Sequence, residues 1–392
     1  MTLKPQAITL LGATGSIGRQ TLDVIARHPK LFSVFALSAE SNAERLFKQC
    51  QQFSPRYAVI GEAAYPALKS RFANAQLQTE LLSGTAALND IARADEVKQV
   101  VAAIVGGAGL HAIHAAVVAG KRVLLANKEA LVMTGDLLLK QAQQTGATIL
   151  PLDSEHNALF QCLPVAQGFR KKSLAEAGVA KLLLTGSGGP FRQTALDELA
   201  NKTPEQACNH PTWNMGRKIS VDSATMMNKG LEYIEAKLLF NAADSELDVI
   251  IHPQSIIHSL VQYKDGTSLA QIGHSDMRVP ISYALAYPSR IESGVDSIDL
   301  STYTLTFEAV DYARYPGLKL AMAVANQNAL TTAMNAANEI AVAAFLQHRI
   351  RFTDIVDVVK FCVEHTTDSP LSAIDEVLTV DNRVRLLAQQ RI

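Results

Sequence analysis

Two carboxylates stand two residues apart in the stretch ILPLDSEHNALFQCL, residues 149–163: Asp153 and Glu155. The stretch begins as an apolar strand, and side chains at i and i+2 of a strand share a face, so the spacing predicts two acids side by side. Like charges so close disfavour each other unless a cation lies between them. Oxygen-only ligation favours Mg2+ or Mn2+ over zinc. The competing arrangement makes Asp153 an N-cap and Glu155 a first-turn acid of a helix starting at SEHNALFQCL, stabilised by the helix dipole. Contact of Ser154 with the same ligand would require a turn, because a regular strand sends it to the opposite face.

A third acidic ligand must come from elsewhere, and DSATMMNKGLEYIEAKLLF, residues 222–240, offers one. Here Asp222 or Ser223 can cap a helix in which Asn228 and Glu232 are i and i+4, hence on one face. Gly230 inside that helix costs about 1 kcal/mol relative to Ala, which implies that something approaches the backbone closely. Glu235 reads as a surface acid and is left out. Ser187 in TGSGGP, with Ser223, Asn228 and Lys229, supplies donors of the kind that hold a phosphate monoester. The loop HPTWNMGRK carries the single tryptophan, Trp213, near His210, Met215 and Gly216. An aromatic in a loop bounded by Pro and Gly fits a lid that excludes water, and equally a core anchor.

A second chemistry is written at the start of the chain. ITLLGATGSIGRQTLDVI places Gly12, Gly15 and Gly18 between a strand and a helix, where small residues let a pyrophosphate approach the backbone and the helix N-terminus supplies N–H groups. The spacing is GxxGxxG. The next strand should end at the adenosine ribose, where an acid ~20 residues past the glycines marks NAD and donors mark NADP. The sequence there is LSAESNAER: Glu40 points one way, Ser41, Asn42 and Arg45 the other, and Glu40 also fits a solvated loop acid. Local chemistry leaves both cofactors open.

These sites need a scaffold large enough to position them, and 392 residues with 48% hydrophobic content predict two or three domains. A formal net charge of −1 gives no reason to expect a nucleic-acid partner. Cys50, Cys162, Cys208 and Cys362 form no CxxC pair, which fits a reducing compartment. No signal-peptide core opens the chain and no run of about 18 apolar residues marks a membrane span, so a soluble cytoplasmic protein is expected.

Through residue 150, short apolar stretches (AITLLGA, FSVFALSA, YAVIG, QVVAAIVG, RVLLAN, ATILPLD) alternate with amphipathic segments, which predicts a Rossmann-like, doubly wound parallel α/β sheet over 1–150. A central α+β catalytic domain over 151–286 follows. Residues 287–312 read as a linker and 313–392 as a C-terminal helical domain.

Taken together, GATGSIG, LLANKEALV, PLDSEHNALFQ, LLTGSGGPF, HPTWNMGRKISVDSATMMNKGLEYIEA and IHPQSIIHS resemble the 1-deoxy-D-xylulose 5-phosphate reductoisomerase family, in order from residue 8 to about 350. The resemblance implies a homodimer, with dimerisation through the central domain, that uses NADPH and Mg2+ or Mn2+. The implied reaction converts 1-deoxy-D-xylulose 5-phosphate to 2-C-methyl-D-erythritol 4-phosphate, an early step toward isoprenoids. It implies metal ligation by Asp153, Glu155 and Glu232, and substrate contacts from Lys128, Ser154 and His210. Ser187, Ser223, Asn228 and Lys229 would surround the phosphate. Thr14, Gly15, Ser16, Ile17, Asn127, Glu129 and Gly216 would contact the cofactor, with Trp213 on the lid.

One departure stands out: relatives often carry Gly and a basic residue before the position of Asn42, where this chain has Glu40 and Ser41. NADPH is still expected over NADH, by a smaller ratio than a lysine would give, with Ser41 and Asn42 at the ribose. Two rivals compete. A semialdehyde or acyl-phosphate reductase would need a catalytic cysteine beside a histidine, and Cys208 near His210 is the candidate. A non-catalytic nucleotide sensor would keep the fold without the acids, Lys128 and Lys229.

Overall fold

The computed structural model describes residues 4–164, 173–213 and 215–392, which fold as two compact units. The first contains the chain up to Ala130 with Leu138–Asn157 and Asp276–Asp296; the second contains Leu131–Leu137, Ala158–Ser275 and Ser297–Ile392.

The core of the first unit is a seven-stranded sheet: β1 (Gln6–Leu11), β2 (Phe32–Ala39), β3 (Tyr57–Ile60), β4 (Glu80–Ser83), β5 (Gln99–Ala102), β6 (Arg122–Leu125) and β7 (Thr148–Pro151). All pairs are parallel, in the order β4-β3-β2-β1-β5-β6-β7. Strands such as β5 are buried throughout because helices cover both faces. The winding reverses between β1 and β5, and the crevice outside the carboxyl ends at such a reversal is where open α/β sheets bind ligands. The helix Arg278–Ala286 packs on the helix Ser16–Arg27, secured by Arg278 to Asp23 at 3.2 Å, and Gln99 donates to the Leu285 carbonyl at 3.1 Å.

The second unit is built on a four-stranded sheet of β8 (Val179–Gly186), β9 (Leu247–Ile251), β10 (Ile257–Tyr263) and β11 (Ser268–Ile272), ordered β11-β10-β8-β9. It carries the helices Arg217–Ala224 and Met227–Phe240 and, beyond residue 313, the helices Pro316–Val324, Asn328–Leu346, Asp354–Glu364 and Ile374–Arg391. Between residues 287 and 312 the regular structure is limited to a short 3-10 turn at Leu300–Thr302 and a bridge from Glu308 to Ile251. By length and composition alone Asn328–Leu346 is long and apolar enough to cross a membrane, yet 72% of its most apolar window is buried, as in a core helix.

Candidate active site

In the first unit the sequence-predicted residues gather at the carboxyl ends of the strands. After β1 the chain turns at Gly12, whose φ of +82° suits glycine and whose Cβ would lie 2.5 Å from the Ala103 carbonyl oxygen. Ser38, near the end of β2, accepts the Gly12 N–H at 3.0 Å and pins the turn. Gly15 precedes Ser16–Arg27, and no side chain caps that helix, so the N–H groups around Ser16 and Ile17 suit a phosphate. A Cβ on Gly15 would meet only the Gly12 carbonyl oxygen, at 3.5 Å, so a ligand can approach the backbone closely.

After β6, Asn127 is buried and spends its amide N–H groups on the carbonyls of Ile104, at 2.5 Å, and Gly106, at 2.8 Å. It thereby shapes the loop after β5, while Lys128 and Glu129 open the helix Lys128–Thr134. β7 pairs with β6 in parallel, Leu125 opposite Pro151, so the two loops that follow are neighbours. Across them Lys128 Nζ lies 2.5 Å from Asp153 Oδ2.

The local backbone corrects one expectation. β7 stops at Pro151, and Ser154–Cys162 is helical, so Asp153 and Glu155 do not share the face of a strand. Asp153 sits at the helix entrance, where its carbonyl accepts the Asn157 N–H at 2.8 Å, and Glu155 is a first-turn acid hydrogen-bonded by the Ser154 hydroxyl. The alternative of an N-terminal helical turn is the one realised, and the turn brings Ser154 beside Glu155. Two oxygen-donor carboxylates on so short a segment suit a hard divalent cation.

In the second unit the strand β8 delivers a loop of left-handed glycines, Gly188 at φ +80° and Gly189 at φ +68°. A Cβ on Gly189 would meet the Ser223 carbonyl oxygen at 2.7 Å, so the glycine is needed for the loop to reach the end of the helix Arg217–Ala224. The Tyr315 hydroxyl donates to the Gly188 carbonyl at 2.8 Å and holds the loop from behind.

Ser187 Oγ lies 3.0 Å from His210 Nε2 and accepts the Gly189 N–H at 3.0 Å. His210 Nδ1 accepts the backbone N–H groups of Thr212, at 3.2 Å, and Trp213, at 3.0 Å. Nδ1 is therefore unprotonated and Nε2 donates to Ser187, leaving the Ser187 hydroxyl proton for an incoming acceptor such as a phosphate oxygen. Burial pushes the His210 pKa down to about 4, in keeping with this neutral tautomer. A cleft of about 600 Å³ opens here, lined by Ser187, Gly189, Arg192, Lys202, Gln206 and His210 among others.

The helix Met227–Phe240 carries Asn228, Lys229 and Glu232, and its buried Glu232 carboxylate receives hydrogen bonds from both Asn228 and Lys229. The shared face expected for Asn228 and Glu232 is present. The expected cap is not: Asp222 and Ser223 end the preceding helix, and Met226, at φ +58°, takes the N-cap position. Asp222 is instead a buried junction, 2.9 Å from Lys218 Nζ and accepting from Asn338 at 2.8 Å. Glu235, read as a surface acid, is fully buried, since this helix is enclosed on almost every side. What approaches Gly230 is the helix Pro316–Val324, where a Cβ would lie 2.6 Å from that of Ala321.

Trp213 is half-buried, its ring centroid 5.9 Å from that of His258, and Gly216 precedes the helix that starts at Arg217. Cys208 is no candidate for a cysteine enzyme, because the His210 imidazole is committed to Ser187 and to the backbone of Thr212 and Trp213.

Three family profiles match the chain: 1-deoxy-D-xylulose 5-phosphate reductoisomerase over residues 8–135, its C-terminal domain over 149–240, and the DXP reductoisomerase C-terminal domain over 272–387. The chain is 54% identical to the 1-deoxy-D-xylulose 5-phosphate reductoisomerase of Tolumonas auensis, over 99% of this chain and 98% of that one. The Proteus mirabilis enzyme is 52% identical over 98% of each chain. Among solved structures, a DOX-P reductoisomerase in complex with NADPH, fosmidomycin and magnesium superposes with a TM-score of 0.95 at 45% identity, over 98% of both chains. The Zymomonas mobilis enzyme in complex with NADPH gives 0.89 at 44% identity, over 99% of both. With its parallel sheet, second sheet and helical C-terminal region all matched over full length, this chain belongs to the 1-deoxy-D-xylulose 5-phosphate reductoisomerase family.

Proposed function

We propose that this chain rearranges 1-deoxy-D-xylulose 5-phosphate and reduces the product with NADPH to 2-C-methyl-D-erythritol 4-phosphate, toward isoprenoid precursors, using Mg2+ or Mn2+. The single observation that carries the chemistry is the charged pair on neighbouring sheet loops, Lys128 against Asp153 at 2.5 Å, beside the first-turn carboxylate of Glu155. Glu232 is assigned as the third metal ligand. When bound, the divalent ion supplies Lewis-acid polarisation of the substrate's oxygens and the nicotinamide supplies a hydride.

The chain's own residues supply the rest. Lys128 brings a positive charge to the acidic loop, and Ser154 orients Glu155 by hydrogen bonding. Ser187 offers a hydroxyl proton fixed by His210 and Gly189, and Lys229 and Asn228 add donors for the phosphate, together with Ser223. Trp213 closes over the substrate and excludes water. Thr14, Gly15, Ser16 and Ile17 bind the pyrophosphate, Ser41 and Asn42 the ribose, and Asn127, Glu129 and Gly216 complete the cofactor site. The proposed division of labour is a cofactor part over 1–150, a catalytic and dimerisation part over 151–286, a linker over 287–312 and a helical part over 313–392.

A cytoplasmic homodimer completes the reading. All four cysteines are free thiols, which fits a reducing compartment. The edge strand β11 exposes Leu269 and Ile272, at 46% and 37%, a surface suited to a second copy. Sedimentation as a monomer at micromolar concentration would refute the dimer. The activity is tested by following NADPH oxidation with 1-deoxy-D-xylulose 5-phosphate, before and after chelation and with Mg2+ or Mn2+ restored. Turnover that vanishes and returns with the metal is expected; NADPH binding without turnover under either metal overturns the reading.

A further inference from the structure

The loop after β2 has no basic residue before Asn42, and its one acid is turned aside. A Cβ built on Gly61 would lie 2.7 Å from Glu40 Oε1, so the Glu40 carboxylate is folded over the end of β3. The Asn42 side-chain oxygen is spent on the helix it caps, accepting the Arg45 N–H at 3.0 Å. Arg45 lies in the first turn of that helix, Ala43–Phe53, and its Nη1 reaches back to donate to the Thr14 carbonyl at 3.3 Å. An exposed guanidinium therefore lies against the glycine turn that receives the pyrophosphate. The nearest acid in sequence is committed elsewhere: Glu44 pairs with Arg71 and with Lys48, which hold its carboxyl down at about 2. Among the described residues Arg45 enters no ion pair, and its guanidinium donates only to the Thr14 carbonyl.

We propose that Arg45 selects the cofactor by gripping the 2′-phosphate of NADPH, in place of a lysine in the preceding loop. The assignment deepens the reading above and depends on it. A planar guanidinium anchored at one edge keeps its remaining donors for a phosphate, and an arginine near this strand end is the usual partner of the 2′-phosphate. The backbone N–H that Asn42 caps survives any side-chain change at Arg45, so substitution leaves the helix start intact.

The test measures dissociation constants by titration calorimetry for NADPH, NADH, 2′,5′-ADP and 5′-AMP, on wild-type protein, Arg45→Met and Arg45→Lys. Arg45→Met should weaken NADPH and 2′,5′-ADP by roughly ten- to a hundredfold, the weight of one charge-assisted contact, and change NADH and 5′-AMP less than about twofold. Arg45→Lys should fall between. Equal weakening of all four ligands, or a preference for NADPH kept in Arg45→Met, overturns the assignment alone. Wild-type protein that binds NADH as tightly as NADPH overturns the cofactor reading itself, and the assignment with it.

Discussion

The Tyr315 hydroxyl donates a 2.8 Å hydrogen bond to the carbonyl oxygen of Gly188, joining a buried residue from the start of the C-terminal helices to the loop that presents Ser187. Gly188 and Gly189 both take left-handed backbone, which glycine alone adopts freely, and the Tyr315 hydroxyl selects one of the conformations open to this loop. Tyr315→Phe removes one oxygen and keeps the ring. It should raise KM for the phosphorylated substrate by roughly three- to tenfold with little change in NADPH affinity, the worth of one hydrogen bond. Turnover of the phosphate-free sugar should be unaffected; equal losses with both substrates would mean that Tyr315 acts on general stability instead.

Asp153→Asn removes an anionic oxygen and leaves the Lys128 ammonium facing a neutral amide in a largely buried setting. Turnover should fall by at least about 10- to 100-fold, with a matching rise in the metal concentration that gives half-maximal rate. A metal titration of NADPH oxidation reads both quantities. Unchanged half-saturation would remove Asp153 from the ligand set.

Gly230→Ala should strain the contact with the helix Pro316–Val324, where the new methyl would lie 2.6 Å from Ala321 Cβ. Overpacking of this kind costs about 1–3 kcal/mol, readable by denaturant unfolding. Adding Ala321→Gly should recover part of the loss despite the poorer helix propensity of glycine. Strict additivity of the two changes would show that the contact is not what excludes a side chain at position 230.

Acidification should destabilise the fold through two histidines, the half-buried His210 and the buried His258. Burial holds both His210 and His258 at about 4, against an ordinary 6.5. The unfolded chain takes up these protons first as the pH falls, so the folded state loses stability between pH 6.5 and about 4 and has it in full above 6.5. Thermal unfolding followed from pH 7.5 to about 4.5 should show a falling midpoint, with a shallower fall in His258→Asn. Equal slopes in the two proteins would clear His258 of the effect.

Much of this was legible in the sequence, for identifiable reasons. FSVFALSA coincides with β2 residue for residue, because a strand buried at every position but Ser33 is apolar through most of its length. The strand β4 escaped notice: ELLS is four residues long, lies at the sheet edge and is only half-buried. Asp153 and Glu155 were read with two geometries open, and the structure takes the helical turn, the strand ending at Pro151, which cannot continue a sheet ladder. Glu235 was misjudged because period alone cannot reveal a helix packed on nearly every side. The support of Gly188 by Tyr315 spans 127 residues of sequence, and no local pattern encodes such a pairing.

Four strands of the first sheet each release a different part of the proposed site at their carboxyl ends: the glycine turn after β1, the Ser41–Asn42 loop after β2, Lys128 after β6 and Asp153 after β7. Because the ladder that fixes their spacing is backbone alone, each loop can drift in sequence while the other three stay in register. On the proposed assignment of Arg45, cofactor preference is a separable trait: a short graft after β2 would retune it for a host rich in one nicotinamide pool, with the acidic loop carried along unaltered.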